Sequence, residues 1–346
     1  MIIKNAIPKI YQQELLSILS SDTFPWFYNE SSKVDKKKLE YEKYKSDIPQ
    51  FTHNFYDAEL HVNSDLFNNI YPLLYFFLQH TNLKYKGLFR VKANLLYNKN
   101  YTEKELKSAY HRDMGSYNIE NTSENHLTDN FVSFIYYVNE SDGDTILLDE
   151  DLNVAESITP EIGKIAWFKS NTVHSATPPT NTNRRIVINF IIETYGEKEY
   201  VLNEFLESIK AHTKLHKKGT LKDHLIRTYN ILKNTTGNET ISLIGGLHSA
   251  YGTEFYTNQC LNFDDNLIKE NFGETVDKYV RMFCGIKRDL LENPDGSLSE
   301  NDLFILRLIE FANLYDQDAL QNKPNLIEFY KKIEHSVKDD LKKYKF

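Results

Sequence analysis

Cysteine is nearly missing from this chain of 346 residues: Cys260 and Cys284 are the only two. They cannot build a disulfide framework or a cysteine-rich zinc site, and they read most simply as small buried apolar residues in a reducing compartment. Long apolar runs are also missing. The longest, Tyr71 to Leu78 (YPLLYFFL), falls far short of the ~20 residues that cross a bilayer. The opening MIIKNAIPKIYQQ carries no apolar segment followed by a small-residue cleavage site. The expectation is a soluble cytoplasmic protein that does not contact membrane. Positive charge is the third shortage: 41 Lys and Arg stand against 49 Asp and Glu, a net charge of −8. A surface that grips nucleic-acid phosphates over its whole extent is excluded, so nucleic acid is not an expected partner.

The chain is rich in aromatic side chains, 23 Tyr and 21 Phe, and the length suits two domains at roughly 100–200 residues each. Residues 8–20 place Ile10, Leu15, Leu16 and Leu19 at helical spacing, with Pro8 near the start where its missing N–H costs little. Residues 64–80 read as a second, more buried helix that Pro72 kinks or delays. Between them, VDKKKLEYEKYKSD reads as a solvated surface segment. From Gly87 the pattern changes to short β-branched and aromatic runs separated by turn residues: 87–97, 131–138, 144–149, 164–168 and 185–192. Such strands, with few helical patterns between them, favour an antiparallel sandwich or barrel. ESDGDT (140–145) reads as a turn. Beyond about Tyr200 the apolar spacing becomes helical and stays so, with no Gly/Ser/Pro linker. The expected division is 1–197, β-rich, and 198–346, helical.

The chemistry rests on histidines. SAYHRDMGSY (108–117) sets His111 and Asp113 two positions apart, on one face of an extended segment about 7 Å apart at the backbone. His174 follows the strand KIAWF and precedes a Pro-rich turn, so the strands between can return it to the same mouth. Two imidazoles and one carboxylate form the facial triad that suits non-haem Fe(II) and leaves positions open. No HExxH zinc pattern is present. A cosubstrate such as 2-oxoglutarate also needs a cationic fork, and Arg184 and Arg185 open the next strand. Neighbours on a strand face opposite ways, so only one of the two points inward, and alternation does not choose between them.

With HRD (111–113), FIYYVNESDGDT (134–145) and the distal His174 with its Pro-Pro turn and following Arg, residues 87–195 resemble the Fe(II)/2-oxoglutarate-dependent dioxygenases, most closely the prolyl-hydroxylase-like branch. FPWFY (24–28) and QFTHNF (50–55) are similar to small bacteriophage-encoded members. The resemblance implies Fe(II) on His111, Asp113 and His174, with 2-oxoglutarate and O2 as cosubstrates and ascorbate as a stimulant. It implies Arg184, rather than Arg185, for the distal carboxylate. Tyr137 and Tyr97 match the cosubstrate-binding tyrosines, and Tyr110 is the alternative to Tyr97. It implies hydroxylation of a C–H bond in a small-molecule or peptidyl substrate, with succinate and CO2 as co-products.

In the helical part, His224 in LKDHLIRTYNILK, His248 in LIGGLHSAYGTEF and Asp316 in FANLYDQD resemble a degenerate HD-superfamily site, although Ser249 stands where that family has Asp. This implies a second site formed by His224, His248 and Asp316; half-buried structural histidines are the competing reading. His212 and His216 (HTKLH) read as a solvated helix face. The expected fold class is α+β: a double-stranded β-helix (jelly-roll) core with N-terminal helices, followed by an all-α HD-like domain. The competing functions are an HD-type phosphohydrolase or oxygenase activity in the helical domain, or a non-catalytic interaction protein.

Overall fold

The computed structural model describes residues 1–30, 48–99, 110–115, 128–333 and 336–337. The chain forms two compact units, Met1–Gly196 and Glu197–Phe346.

In the first unit the long strands β5 (Tyr85–Tyr97) and β11 (Arg184–Thr194) pair antiparallel, Arg184 opposite Tyr97, and make the spine of the larger sheet. Its order is β1-β9-β6-β11-β5-β3-β2, where β1 is Ile2–Ile3, β2 Phe27–Asn29, β3 Gln50–Asp57, β6 Phe131–Tyr137 and β9 Ile165–Lys169; β4 (His61–Val62) pairs with β3. A smaller sheet has the order β10-β7-β8, with β7 Thr145–Leu148, β8 Val154–Ile158 and β10 His174–Ala176. Strand alternation gives the larger sheet two working faces. On one, Val91, Ala93, Leu95, Ile186, Ile188 and Phe190 join Leu15 and Leu19 of helix α1 (Lys9–Ser20) and Phe77 of a short helix in a single core. Phe77 stacks on Phe134 at 4.1 Å, and Phe134 on Phe190 at 4.4 Å. Burying a ring of this size stabilises by about 1.5–3 kcal/mol. On the other face, Ile135, Tyr137, Phe168 and Val187 meet Leu147 and Ile158 of the smaller sheet.

Pro72 acts as the sequence suggests. The apolar run of 64–80 breaks into α2 (Phe67–Ile70) and α3 (Pro72–Gln79), with Pro72 in the first turn, where no N–H is needed. Six strands of this unit are not expected from the sequence: β1, β2, β4 and β10 are only two or three residues long, β8 is largely exposed, and β3 interleaves polar residues among its aromatics.

The second unit is mostly helical: α4 (Glu197–Ser208), α5 (Leu221–Thr236), α6 (Glu239–Leu247), α7 (Leu267–Phe272), α8 (Glu274–Gly285), α9 (Asp289–Glu292), α10 (Glu300–Asp316) and α11 (Pro324–Ile333). Helix α5 begins with a reciprocal cap between Thr220 and Asp223 and stops at Gly237, whose φ of 63° is a left-handed conformation that Gly adopts without strain. Gly246 lets α6 approach α4; a Cβ there would lie 2.5 Å from Leu202 Cδ2. The unit is not purely α-helical. A hairpin of β12 (Leu215–His216) and β13 (Gly219–Thr220) replaces the helix expected at HTKLH, and His212 pairs with Glu207 instead of lining a helix face with His216. The described residues contain no helix long and apolar enough to cross a membrane.

Candidate metal centre

The HRD segment docks on the first residue of β10. His111 and His174 exchange both backbone hydrogen bonds at 2.9 Å, and the Met114 N–H donates to Ser170 O at 3.0 Å. This brings ligand atoms of His111, Asp113 and His174 within 4.8 Å of one another, and among the described residues no other group of three His, Cys, Asp or Glu converges in this way. His174 Nδ1 lies 3.0 Å from Thr172 O. A carbonyl oxygen only accepts, so Nδ1 carries a proton, and Nε2 faces Asp113, 3.8 Å from Oδ2.

Asp113 is held by three residues that no motif search would single out. The Arg90 guanidinium reaches Oδ1 at 2.8 Å, Ser133 Oγ donates to Oδ2 at 2.7 Å, and Asn189 Nδ2 donates to Oδ2 at 3.1 Å. The Asp113 side chain is only 2% exposed. Burial alone would push its pKa up, but the neighbouring His174, Arg90 and His111 and the Ser133 hydrogen bond outweigh that and hold it well below the usual carboxylate range. The site therefore keeps a fixed, ionised carboxylate between two imidazoles, a hard and borderline donor set that fits a divalent iron ion.

The two arginines separate by strand phase. Arg184 turns outward, its guanidinium 3.0 Å from Ser20 Oγ at the end of α1. The expectation that Arg184 serves the site is thus not met by its geometry. Arg185 turns inward and is 2% exposed. Its Nε donates to Gly143 O and a terminal nitrogen donates to Thr145 Oγ1, both at 2.7 Å, while Tyr137 OH donates to the same Thr145 oxygen at 2.8 Å. Among the described residues, no carboxylate lies within ion-pair distance of this buried guanidinium. Gly143 is needed for the approach: a Cβ there would sit 2.6 Å from Thr177 O and 3.0 Å from Arg185 Cδ. Tyr137 is on the inner face, beside Arg185. Tyr97 is not. It lies opposite Arg184, on the outward phase of β5, is 41% exposed and packs edge-on against Phe51. Tyr110, its alternative, packs against Leu148 and Val173.

The inward phase of β5 instead presents Arg90, Lys92, Asn94 and Leu96, opposite Ile191, Asn189, Val187 and Arg185 of β11. Sequence reasoning passed over Lys92 and Asn94 because polar residues alternating with Val91, Ala93 and Leu95 look like a solvated strand face. Burial and the nearby Arg90 lower the Lys92 ammonium to about 8, with Asp113 acting in the other direction.

In the second unit His224, His248 and Asp316 do come together, but they do not surround a point. Asp316 Oδ2 is 2.7 Å from His224 Nδ1, whereas His248 Nε2 is 3.2 Å from His224 Nε2, on the opposite edge of the same ring. Arg227 holds both oxygens of Asp316, at 2.5 and 3.0 Å. A carboxylate on the opposite edge of the His224 ring from the second imidazole is not placed to complete a three-ligand site with these histidines. His248 Nδ1 donates to Gly245 O at 2.6 Å, and His216 stacks on His224 at 4.1 Å.

Residues 98–193 match the model of the 2OG-Fe(II) oxygenase superfamily, and residues 205–288 match a model described as Domain of unknown function (DUF6817). Over the second unit the match is to that domain of unknown function, and the HD likeness is not confirmed there. No curated protein matches the chain. Similar solved structures include an oxidoreductase of the 2OG-Fe(II) oxygenase family from Burkholderia pseudomallei, 12% identical over 56% of this chain and 84% of that one, with a TM-score of 0.38. A viral collagen prolyl hydroxylase from Paramecium Bursaria Chlorella virus-1 is 13% identical over 56% of this chain and 95% of its own, with a TM-score of 0.32. A Pseudomonas putida prolyl-4-hydroxylase is 12% identical over 57% and 92%, with a TM-score of 0.34.

Proposed function

We propose that the first unit, in which residues 98–193 carry a 2OG-Fe(II) oxygenase superfamily domain, is a 2-oxoglutarate-dependent dioxygenase on a jelly-roll core that hydroxylates a C–H bond. The observation that carries this reading is the pairing of two features across one interior. One is the converging His111, Asp113 and His174; the other is the buried Arg185, a cation with no carboxylate of its own among the described residues. A buried guanidinium without an anion is costly, and a ligand carboxylate would relieve that cost bidentately. His111, Asp113 and His174 would hold Fe(II); Arg185, with Tyr137 and Thr145 beside it, would hold the distal carboxylate of 2-oxoglutarate. Iron and 2-oxoglutarate together supply an oxidant able to attack a C–H bond: the substrate, O2 and 2-oxoglutarate yield the alcohol, succinate and CO2.

The chain's own residues do the rest. The Thr172 carbonyl fixes His174 in the tautomer that offers Nε2. Arg90, Ser133 and Asn189 keep Asp113 ionised and oriented. Ile135, Leu147, Phe168 and Val187 keep the space between the sheets apolar, which excludes water from the reacting centre. The test is direct. Anaerobic protein with Fe(II) and 2-oxoglutarate should show a weak metal-to-ligand charge-transfer band and, in air, slow succinate release without substrate; His174→Ala should abolish both. Wild-type protein that binds neither iron nor 2-oxoglutarate refutes the proposal.

A further inference from the structure

The inward face of β5 and β11 next to the metal triad carries more polar groups than the triad and Arg185 use. Among the described residues, Lys92 makes no hydrogen bond or ion pair, although it lies opposite Asn189, whose amide touches Asp113. Among the described residues, three polar atoms on this face are buried without a partner: Arg90 Nε, Asn94 Oδ1 and Asn189 Oδ1. Leaving such atoms unmatched is costly, so a cluster of them beside a reactive centre marks where a ligand belongs. The chemistry of the set is specific. Lys92 is a cation without an ion pair, Arg90 Nε is a donor left over by that guanidinium's pair with Asp113, and the two amide oxygens are acceptors that need N–H groups.

The cosubstrate does not account for them. Its distal carboxylate falls to Arg185, which is four residues along β11 from Asn189, about 13 Å at the backbone; its other end, chelating the metal, would leave one free carboxylate oxygen, which could take a donor but supplies no N–H for the oxygens of Asn94 and Asn189. We infer that the molecule oxidised is a free α-amino acid, its carboxylate held by Lys92 and Arg90 and its ammonium by the amide oxygens of Asn94 and Asn189. Within a peptide both groups are converted to neutral amides, so a residue inside a chain would leave Lys92 without an anion of its own, Arg90 being already paired with Asp113. The inference rests on the oxygenase reading and narrows its substrate class.

The full-length protein, loaded with Fe(II) and 2-oxoglutarate, is assayed for succinate release with each of the common free amino acids and with the same residues acetylated and amidated at their ends. At least one free amino acid should raise the rate tenfold or more over the uncoupled reaction, and its capped form should not. Lys92→Met should raise the KM for that amino acid at least tenfold, while the Kd for 2-oxoglutarate, read by anaerobic calorimetry with Mn(II), stays within twofold of wild type. Lys92→Arg should retain most of the affinity, and an unchanged melting curve shows that both variants fold. Equal stimulation by capped forms, no stimulation by any free amino acid in protein that binds 2-oxoglutarate, or a KM unmoved by Lys92→Met overturns the inference. So does a raised Kd for 2-oxoglutarate in Lys92→Met, because it gives Lys92 to the cosubstrate. Loss of 2-oxoglutarate binding in wild-type protein refutes the oxygenase reading itself and is thereby distinguished.

Discussion

Replacing either of two adjacent arginines by methionine separates a reading based on strand position from one based on strand phase. Arg185→Met removes the guanidinium that stands buried beside Tyr137 and Thr145, and keeps a side chain of similar length. Hydrogen bonds to charged groups contribute about 1.5–3 kcal/mol each, and losing one partner of a buried charged pair costs about 2–5 kcal/mol. For a two-point fork against one carboxylate, about 2–4 kcal/mol is expected, which at 1.4 kcal/mol per decade is a rise of about 30- to 700-fold in Kd. Arg184→Met removes only the contact with Ser20 Oγ on a half-exposed side chain and should change that Kd less than twofold. Anaerobic calorimetry with Mn(II) and 2-oxoglutarate reads both. The folded state should tolerate Arg185→Met, because the change also relieves the burial of an unpaired charge and Thr145 keeps its bond from Tyr137. If Arg184→Met weakens 2-oxoglutarate as much as Arg185→Met, the assignment by strand phase is wrong.

Ser133→Ala should leave the three metal ligands in place yet weaken Fe(II) binding about 10- to 100-fold, because it removes the 2.7 Å bond that orients Asp113; metal retained after dialysis against a graded chelator measures this. The second unit should lose stability in mild acid. Burial and the charge of His224 lower His216 to about 4, and burial lowers His224 and His248 as well, so below the ordinary histidine value near 6.5 the unfolded chain takes up protons that the folded cluster refuses. That stability is fully present above about pH 6.5 and is lost as pH falls toward 4, and thermal melts across this window should show a descending midpoint. His248→Asn should flatten the descent, and a midpoint that is flat in the wild type contradicts the account.

The strands of the first unit were legible where they are long and patterned. The runs at 87–97, 131–138 and 185–192 became β5, β6 and β11, the three neighbours at the middle of the larger sheet. Strands that owe their existence to a partner were not. β10 is three residues long and forms because His174 meets both the HRD segment and Leu147 across the ladder. The break at Pro72 was legible because a missing N–H acts locally. The hairpin at Leu215–Thr220 was not, because HTKLH carries a helical spacing that a tight turn at Lys217 and Lys218 overrides.

The sequence by itself determined which side chains could ligate a metal. His111, Asp113 and His174 are residue types that ligate iron, and their spacing, together with the resemblance to the dioxygenases, singled them out. It also determined that one of two neighbouring arginines would face inward. Only the tertiary structure decided which one, because a period of two fixes alternation but not its phase, and phase is set by the register with the neighbouring strand. The same register turned Tyr97 outward and Lys92 and Asn94 inward. It also delivered Ser133 and Asn189, from strands distant in the chain, to the carboxylate of Asp113.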